Sequence, residues 1–217
     1  MSDTKSILLS GIVGSDAYGL STPDSDIDRL GVFAYPTESL LKLRIPRDTV
    51  VSHDPDVALH EARKFLLLCL KCNPTVTELL WLEDYEVLTG AGVELVRMRG
   101  AFLSQAYVRN SYLGYASSQF KRLMEKGDWK RGTKHARHML RLLSQGMYLW
   151  TTGELKLRVE DPQWYFDTAE SIYANPTLAK QYLHRAEQVF DETRPVIPTQ
   201  PDELRVQDWL LWVRRMY

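Results

Sequence analysis

Two short apolar runs near the start of the chain, SILLSGIVG (residues 6–14) and IDRLGVFAY (residues 27–35), restrict the fold more than any other feature. Each is rich in aliphatic and β-branched residues and is closed by Gly or Pro, the pattern of a buried strand. Between them lie GSDAYG and LSTPDSD, crowded with Gly, Pro and small polar residues, the composition of turns. The chain is therefore expected to open with two strands flanking a polar connection. Gly31, inside the second run, is expected at a bend or a close backbone approach.

Further strand signals are few. Residues 37–43 suggest a helical turn or two, and 48–57 (DTVVSHDPDV) a third strand followed by a polar turn. From about Ala58 to Cys72 the apolar positions Ala62, Phe65, Leu66 and Cys69 follow helical spacing, and Asn73-Pro74 stops the run. Thr75 to Leu82 reads as a helix and 84–88 as a short strand. Beyond residue 93 only helical patterns remain, over 93–98, 101–126, 132–153, 162–174, 176–193 and 202–216, punctuated by Gly127, Gly132, Gly153, Pro162 and Pro176. The fold class expected is α+β, a small mixed β-sheet followed by an all-helical part, with domains at 1–92 and 93–217.

A length of 217 residues suits one large domain or two small ones, and 44% apolar content supplies a core. No apolar run approaches the ~18 residues of a membrane span. The polar start MSDTKS has no signal-peptide core. The expectation is a cytoplasmic protein without membrane attachment. Cys69 and Cys72 have C-x-x-C spacing but no second pair or nearby His to complete a zinc set. Their apolar flanks read as buried helix. Residues 1–60 hold five Lys/Arg against nine Asp/Glu, and residues 121–158 ten against three. Such an acidic first part and basic later part suit the two walls of a site for a metal-bound polyanion; two unrelated solvated faces are the alternative.

The stretch GSDAYGLSTPDSDID (14–28) carries the chemistry. On a strand Asp26 and Asp28 project to one face, about 6–7 Å apart along the chain. Two like charges so placed call for a counter-charge, and a divalent cation supplies one. Mg²⁺ takes carboxylate oxygens and completes its shell with substrate phosphates. If Ser15 opens a helix, the Gly14-Ser15 step offers backbone N–H groups to phosphate, with Gly14 allowing close approach. Neither a P-loop nor G-x-G-x-x-G is present. The competing reading is a solvated turn at a strand edge. Tyr18, three residues after Ser15, faces either the nucleotide or the sheet.

The pattern G-S-x-x-Y-G-x-x-T-P-x-S-D-x-D-x-x-G-V resembles the signature of nucleotidyltransferases of the DNA polymerase β superfamily, in particular their RNA-ligase-associated branch. E-x-x-K-F at 61–65, N-P-T-x-x-E-L-L at 73–80, K-H-A-x-H-x-x-R-L-L at 134–143 and T-G-E-L at 152–155 extend the likeness over residues 10–158. The resemblance implies transfer of a nucleoside monophosphate from an NTP with release of pyrophosphate. It implies phosphate contacts at Gly14 and Ser15, and Mg²⁺ (or Mn²⁺) on Asp26 and Asp28. It also implies a third carboxylate, for which Asp56 ranks ahead of Asp54 and Glu61; the alternative for Asp56 is a helix N-cap. The acceptor implied is an RNA 3′ end, such as that of a damaged tRNA, in functional association with an RNA ligase. A protein adenylylating enzyme and a non-catalytic RNA- or nucleotide-binding module are the other readings.

In KRGTKHARHMLRLL (130–143), Lys134, His138 and Arg141 share a helical face. They are the candidate cationic contacts for triphosphate or RNA, against the plainer reading of a solvated basic face. The many aromatic residues of 107–150 are expected mainly to pack helices. The apolar positions of DWLLWVRRMY (208–217) suggest a docking helix or an oligomer contact.

Overall fold

The structure, a computed structural model, describes residues 4–125 and 128–217. Gly127, expected to separate two helices, and Lys126, the end of the expected 101–126 helix, lie outside the described residues, as do residues 1–3. The fold is α+β, a five-stranded mixed sheet followed by helices. The chain forms two compact units. One is Met1–Leu103 with Pro201–Tyr217; the other is Ser104–Gln200. Strand signals fade near residue 93, which suggested a boundary at 92/93. The first unit instead runs on to Leu103 and takes back the last 17 residues.

In the first unit, β1 (Ser6–Val13) leads through α1 (Ser15–Tyr18) to β2 (Asp28–Ala34). Then come α2 (Thr37–Leu40), β3 (Thr49–His53), β4 (Asp56–Glu61), α3 (Ala62–Leu70), α4 (Pro74–Thr77), a 3₁₀ turn at Glu78–Trp81, β5 (Val87–Leu88) and α5 (Gly90–Arg97). The strand order is β3-β4-β2-β1-β5. Among the described residues only the β2–β4 pair is parallel. Central β2 is buried from Leu30 to Ala34, as a strand flanked on both sides and covered on its faces must be. Gly31 sits at a close approach: a Cβ there would lie 2.7 Å from Leu59 Cδ2 and 3.0 Å from the carbonyl oxygen of Leu9.

The helix expected from Ala58 begins only at Ala62. Residues 57–59 are paired on one side with β2 and on the other with β3, and two ladders outweigh a weak helical period. Glu61 caps the helix, its carboxylate accepting from the Arg63 N–H at 2.9 Å. From there Ala62, Phe65, Leu66 and Cys69 do form the buried stripe. Both cysteines are buried thiols. Burial, and secondarily Cys72, pushes the Cys69 thiol well above its ordinary value, so it is inert core. The last helix, α10 (Glu203–Met216), buries Val206, Trp209 and Val213 in this same unit. The Trp209 indole donates to the Ala91 carbonyl at 3.1 Å.

The second unit contains α6 (Gln105–Met124), α7 (Trp129–Thr152), α8 (Pro162–Ala174) and α9 (Thr177–Glu192). Each start has a local cause. Ser104 caps α6, which delays it from the expected residue 101, and Asp128 caps α7, which begins it three residues before the expected 132. Asp161 caps α8 with Pro162 in its first turn. Trp150 meets Phe190 edge-on at 5.2 Å and donates to the Thr193 carbonyl, so this aromatic residue packs helices as expected. No helix among the described residues is long and apolar enough to cross a membrane.

Candidate active site

The site is built where β1 ends and β2 and β4 begin. The antiparallel register sets Val13 opposite Asp28, so Gly14 comes directly against the start of β2. Gly14 has φ +71°, the left-handed region, and a Cβ on it would lie 2.3 Å from Asp28 Oδ2. Only glycine both adopts that backbone and leaves space for the carboxylate. Ser15 is the first residue of α1, as expected.

The parallel register pairs Arg29 with Val57. Asp28 and Asp56, each one residue earlier, therefore open adjacent strands at the same level, with about 5 Å between strand axes. Asp56 is the first residue of β4 and not a helix N-cap; Glu61 takes that role. Asp26 precedes β2 and is exposed, in a connection without regular structure. The strand was expected to begin at Ile27, but its ladder begins at Asp28, and Ile27 is 48% exposed. The neighbouring Arg29 is committed to Glu86, Nε to Oε1 at 2.8 Å.

The two other candidates for the third carboxylate lie elsewhere. Asp54 is exposed in the turn between β3 and β4. Glu61, at the opposite end of β4 from Asp56, is buried and ion-paired with Arg214 at 2.6 Å. It lines a cavity of about 790 Å³ with Leu40, Ile45, Arg63, Lys64 and Arg214, about 17 Å along the strand from Asp56.

The donor set fits a divalent cation of one kind. Among the described residues no three His, Cys, Asp or Glu side chains gather into a group able to hold a metal alone. Asp28 and, two residues earlier, Asp26 offer hard oxygen donors, and the missing Cβ of Gly14 leaves room for the Asp28 carboxylate. This suits a hard divalent cation that binds through one or two carboxylates and draws its other ligands from phosphate and water.

Tyr18 faces the interior. It is 3% exposed, and its hydroxyl donates to Glu78, itself 3% exposed. Nothing in the spacing of G-S-x-x-Y-G or of N-P-T-x-x-E pointed to this bond, which joins residues 60 positions apart.

Lys134, His138 and Arg141 all lie on α7, in the second unit. They do not form a continuous charged stripe. Lys134 is exposed, but Arg141 is 2% exposed and its Nη1 donates to Gln145 Oε1 at 2.6 Å. Gln145 in turn donates to the carbonyls of Lys156 and Leu157, so the block anchors the chain that follows T-G-E-L. Burial, reinforced by Arg141, Lys134, Arg137 and His135, lowers the His138 pKa to about 3; its imidazole is neutral at physiological pH. Arg137 stacks over the Phe166 ring at 4.3 Å.

A mixed sheet that brings a Gly-Ser turn against an aspartate at a strand end is the frame of a polymerase-β-type nucleotidyltransferase. The chain belongs to the RNA repair pathway DNA polymerase beta family, whose model matches residues 2–162. The matched span holds the whole sheet with α1 to α7 and ends at the start of α8. Membership supports nucleotidyltransferase activity in general, and proteins of this type generally use divalent metals. No curated protein matches the chain.

Proposed function

We propose that the protein transfers a nucleoside monophosphate from an NTP to the 3′ hydroxyl of an RNA, in repair or processing. The observation that supports this reading is the packing of Gly14 against Asp28; the reading assigns the turn to phosphate and the carboxylate to metal. Gly14 and Ser15 hold the β- and γ-phosphates through backbone N–H groups and the serine hydroxyl. Asp26 and Asp28 would hold Mg²⁺ or Mn²⁺, with Asp56 completing the carboxylate set. When bound, the metal neutralises the triphosphate and stabilises the departing pyrophosphate. Asp56 takes the proton from the acceptor hydroxyl, whose oxygen bonds to the α-phosphorus as the bond to pyrophosphate breaks. Of the three α7 residues, Lys134 is the exposed cation and is assigned an RNA phosphate contact; Arg141 acts from inside, and the half-buried His138 supports the helix as a neutral group. An RNA ligase is the functional partner in this reading, and the cytoplasm its compartment.

The test is incubation of the protein with α-labelled ATP, GTP, CTP or UTP, Mg²⁺ and RNAs with free 3′ ends. Label is expected on RNA, and Asp26→Ala with Asp28→Ala is expected to lower transfer by at least about 10²–10³-fold without loss of fold. Label on polypeptide instead would move the acceptor to protein. A double variant as active as wild type would remove these aspartates from the site.

A further inference from the structure

We propose that Tyr18 and Glu78 are positioning residues that hold the Gly14–Ser15 turn in its phosphate-binding conformation, an inference that rests on the nucleotidyl-transfer reading above. The turn has little rigidity of its own. Helix α1 has only four residues, bounded by Gly14 at φ +71° and Gly19 in the left-handed region. A helix so short is not stable in isolation. Backbone bonds close it: Tyr18 N–H to Gly14, Gly19 N–H shared between Asp16 and Ser15, and Leu20 N–H to Ser15. None of them fixes the turn relative to the sheet. That task falls to the buried end of α1, where the Tyr18 hydroxyl donates to Glu78.

The acceptor stands on a rigid base. Asn73 caps α4 by accepting from the Thr75 N–H at 3.1 Å and from the Thr75 hydroxyl at 3.0 Å, with Pro74 in the first turn. The Thr77 hydroxyl donates back to the Asn73 carbonyl at 2.8 Å. The following 3₁₀ turn buries Glu78, Leu79, Leu80 and Trp81 together. The N-P-T-x-x-E-L-L block thus forms a base whose one buried carboxyl group reaches Tyr18. A buried carboxyl and a buried phenol each lose hydration on folding, so each gains from a fixed partner. Moving Tyr18 away from Glu78 would carry Ser15 with it, one helical turn away, and with Ser15 the Gly14 amide beside Asp28. Neither Tyr18 nor Glu78 needs to touch the nucleotide.

The test uses the full chain and the variants Tyr18→Phe, Glu78→Ala, their double, and Glu78→Gln, which keeps an acceptor oxygen. Amide hydrogen exchange is followed over residues 14–20 and over α3, and affinity for ATP, GTP, CTP and UTP with Mg²⁺ by calorimetry. In Tyr18→Phe and Glu78→Ala, exchange over 14–20 is expected to speed about tenfold while α3 is unchanged, and the Kd of the preferred NTP to rise about tenfold. The double variant is expected to lose no more than either single one, and Glu78→Gln to stay within about threefold of wild type. Should Glu78→Ala fail to fold, Tyr18→Phe and Glu78→Gln carry the test. Unchanged exchange over 14–20, or additive losses in the double variant, overturns the positioning role. Wild type that binds none of the four NTPs overturns the nucleotidyl-transfer reading itself, and the exchange arm still decides whether the bond orders the turn.

Discussion

At the start of β2 the carboxylate of Asp28, only partly buried, lies against bare backbone at Gly14, whereas on α7 the guanidinium of Arg141 is 2% exposed and bonded to Gln145. Both residues belong to sequence blocks that mark the family. The first kind of block leaves a charged side chain partly exposed. The second turns one inward, where a polar group must be satisfied by its own fold. A matching motif therefore has two physical meanings, and burial separates them. The basic character of 130–141 splits in the same way, with Lys134 outside, His138 uncharged and Arg141 inside.

The strongest way to break this comparison is at Gly14. Gly14→Ala must force a Cβ to 2.3 Å from Asp28 Oδ2 and hold an L-residue at φ +71°. Transfer is expected to fall about 10²-fold and stability by about 1–3 kcal/mol, read by labelled-NTP assay and urea unfolding. An active, stable Gly14→Ala protein would show that the turn is not the phosphate site. Next comes Arg141→Ala, which leaves Gln145 without its donor and opens a void. A loss of about 2–4 kcal/mol is expected, with NTP affinity unchanged in the protein that remains folded. Weaker NTP binding at unchanged stability would return Arg141 to the ligand.

The smallest effect concerns His138. Its folded pKa of about 3 lies below the ordinary 6.5, so below pH 6.5 the unfolded chain takes up a proton that the folded chain refuses. The stability from this group is complete above about pH 6.5 and falls as pH drops towards 3, by up to about 1.4 kcal/mol per unit. His138→Asn is expected to flatten that slope in urea titrations between pH 6.5 and 4.5. A wild-type slope as flat as the variant's would mean that His138 is readily charged and belongs to a cationic face after all.

Much of this was legible in local sequence. The runs at 6–14 and 27–35 announce β1 and β2 because a short apolar strand closed by Gly or Pro has few alternatives. Most helix starts follow from single capping residues such as Asp161 before Pro162. What stayed hidden depends on pairing between distant segments. Residues 58–60 fit a helical period and became strand because two ladders hold them. The placement of Asp56 at the level of Asp28 follows from β2–β4 register, which no single stretch encodes. The Tyr18–Glu78 bond and the burial of Arg141 are tertiary facts with no periodic signature. Charge counts over 121–158 described composition correctly but not exposure, because a long basic side chain on a helix can point either way.

The return of α10 to the first unit bears on how the protein is made. The strands that carry Val13, Asp28 and Asp56 leave the ribosome early, yet Trp209 and Val213, which complete their core, and Arg214, which pairs with Glu61, come after the whole helical unit. A nascent chain that has reached residue 200 has all its strands but an unfinished sheet unit. Domains tend to fold in order of synthesis; here the helical unit can mature first, and the sheet unit waits for residues 201–217. Completion of the sheet unit is thereby tied to synthesis of residues 201–217, and chains that stop before them would lack its closing helix.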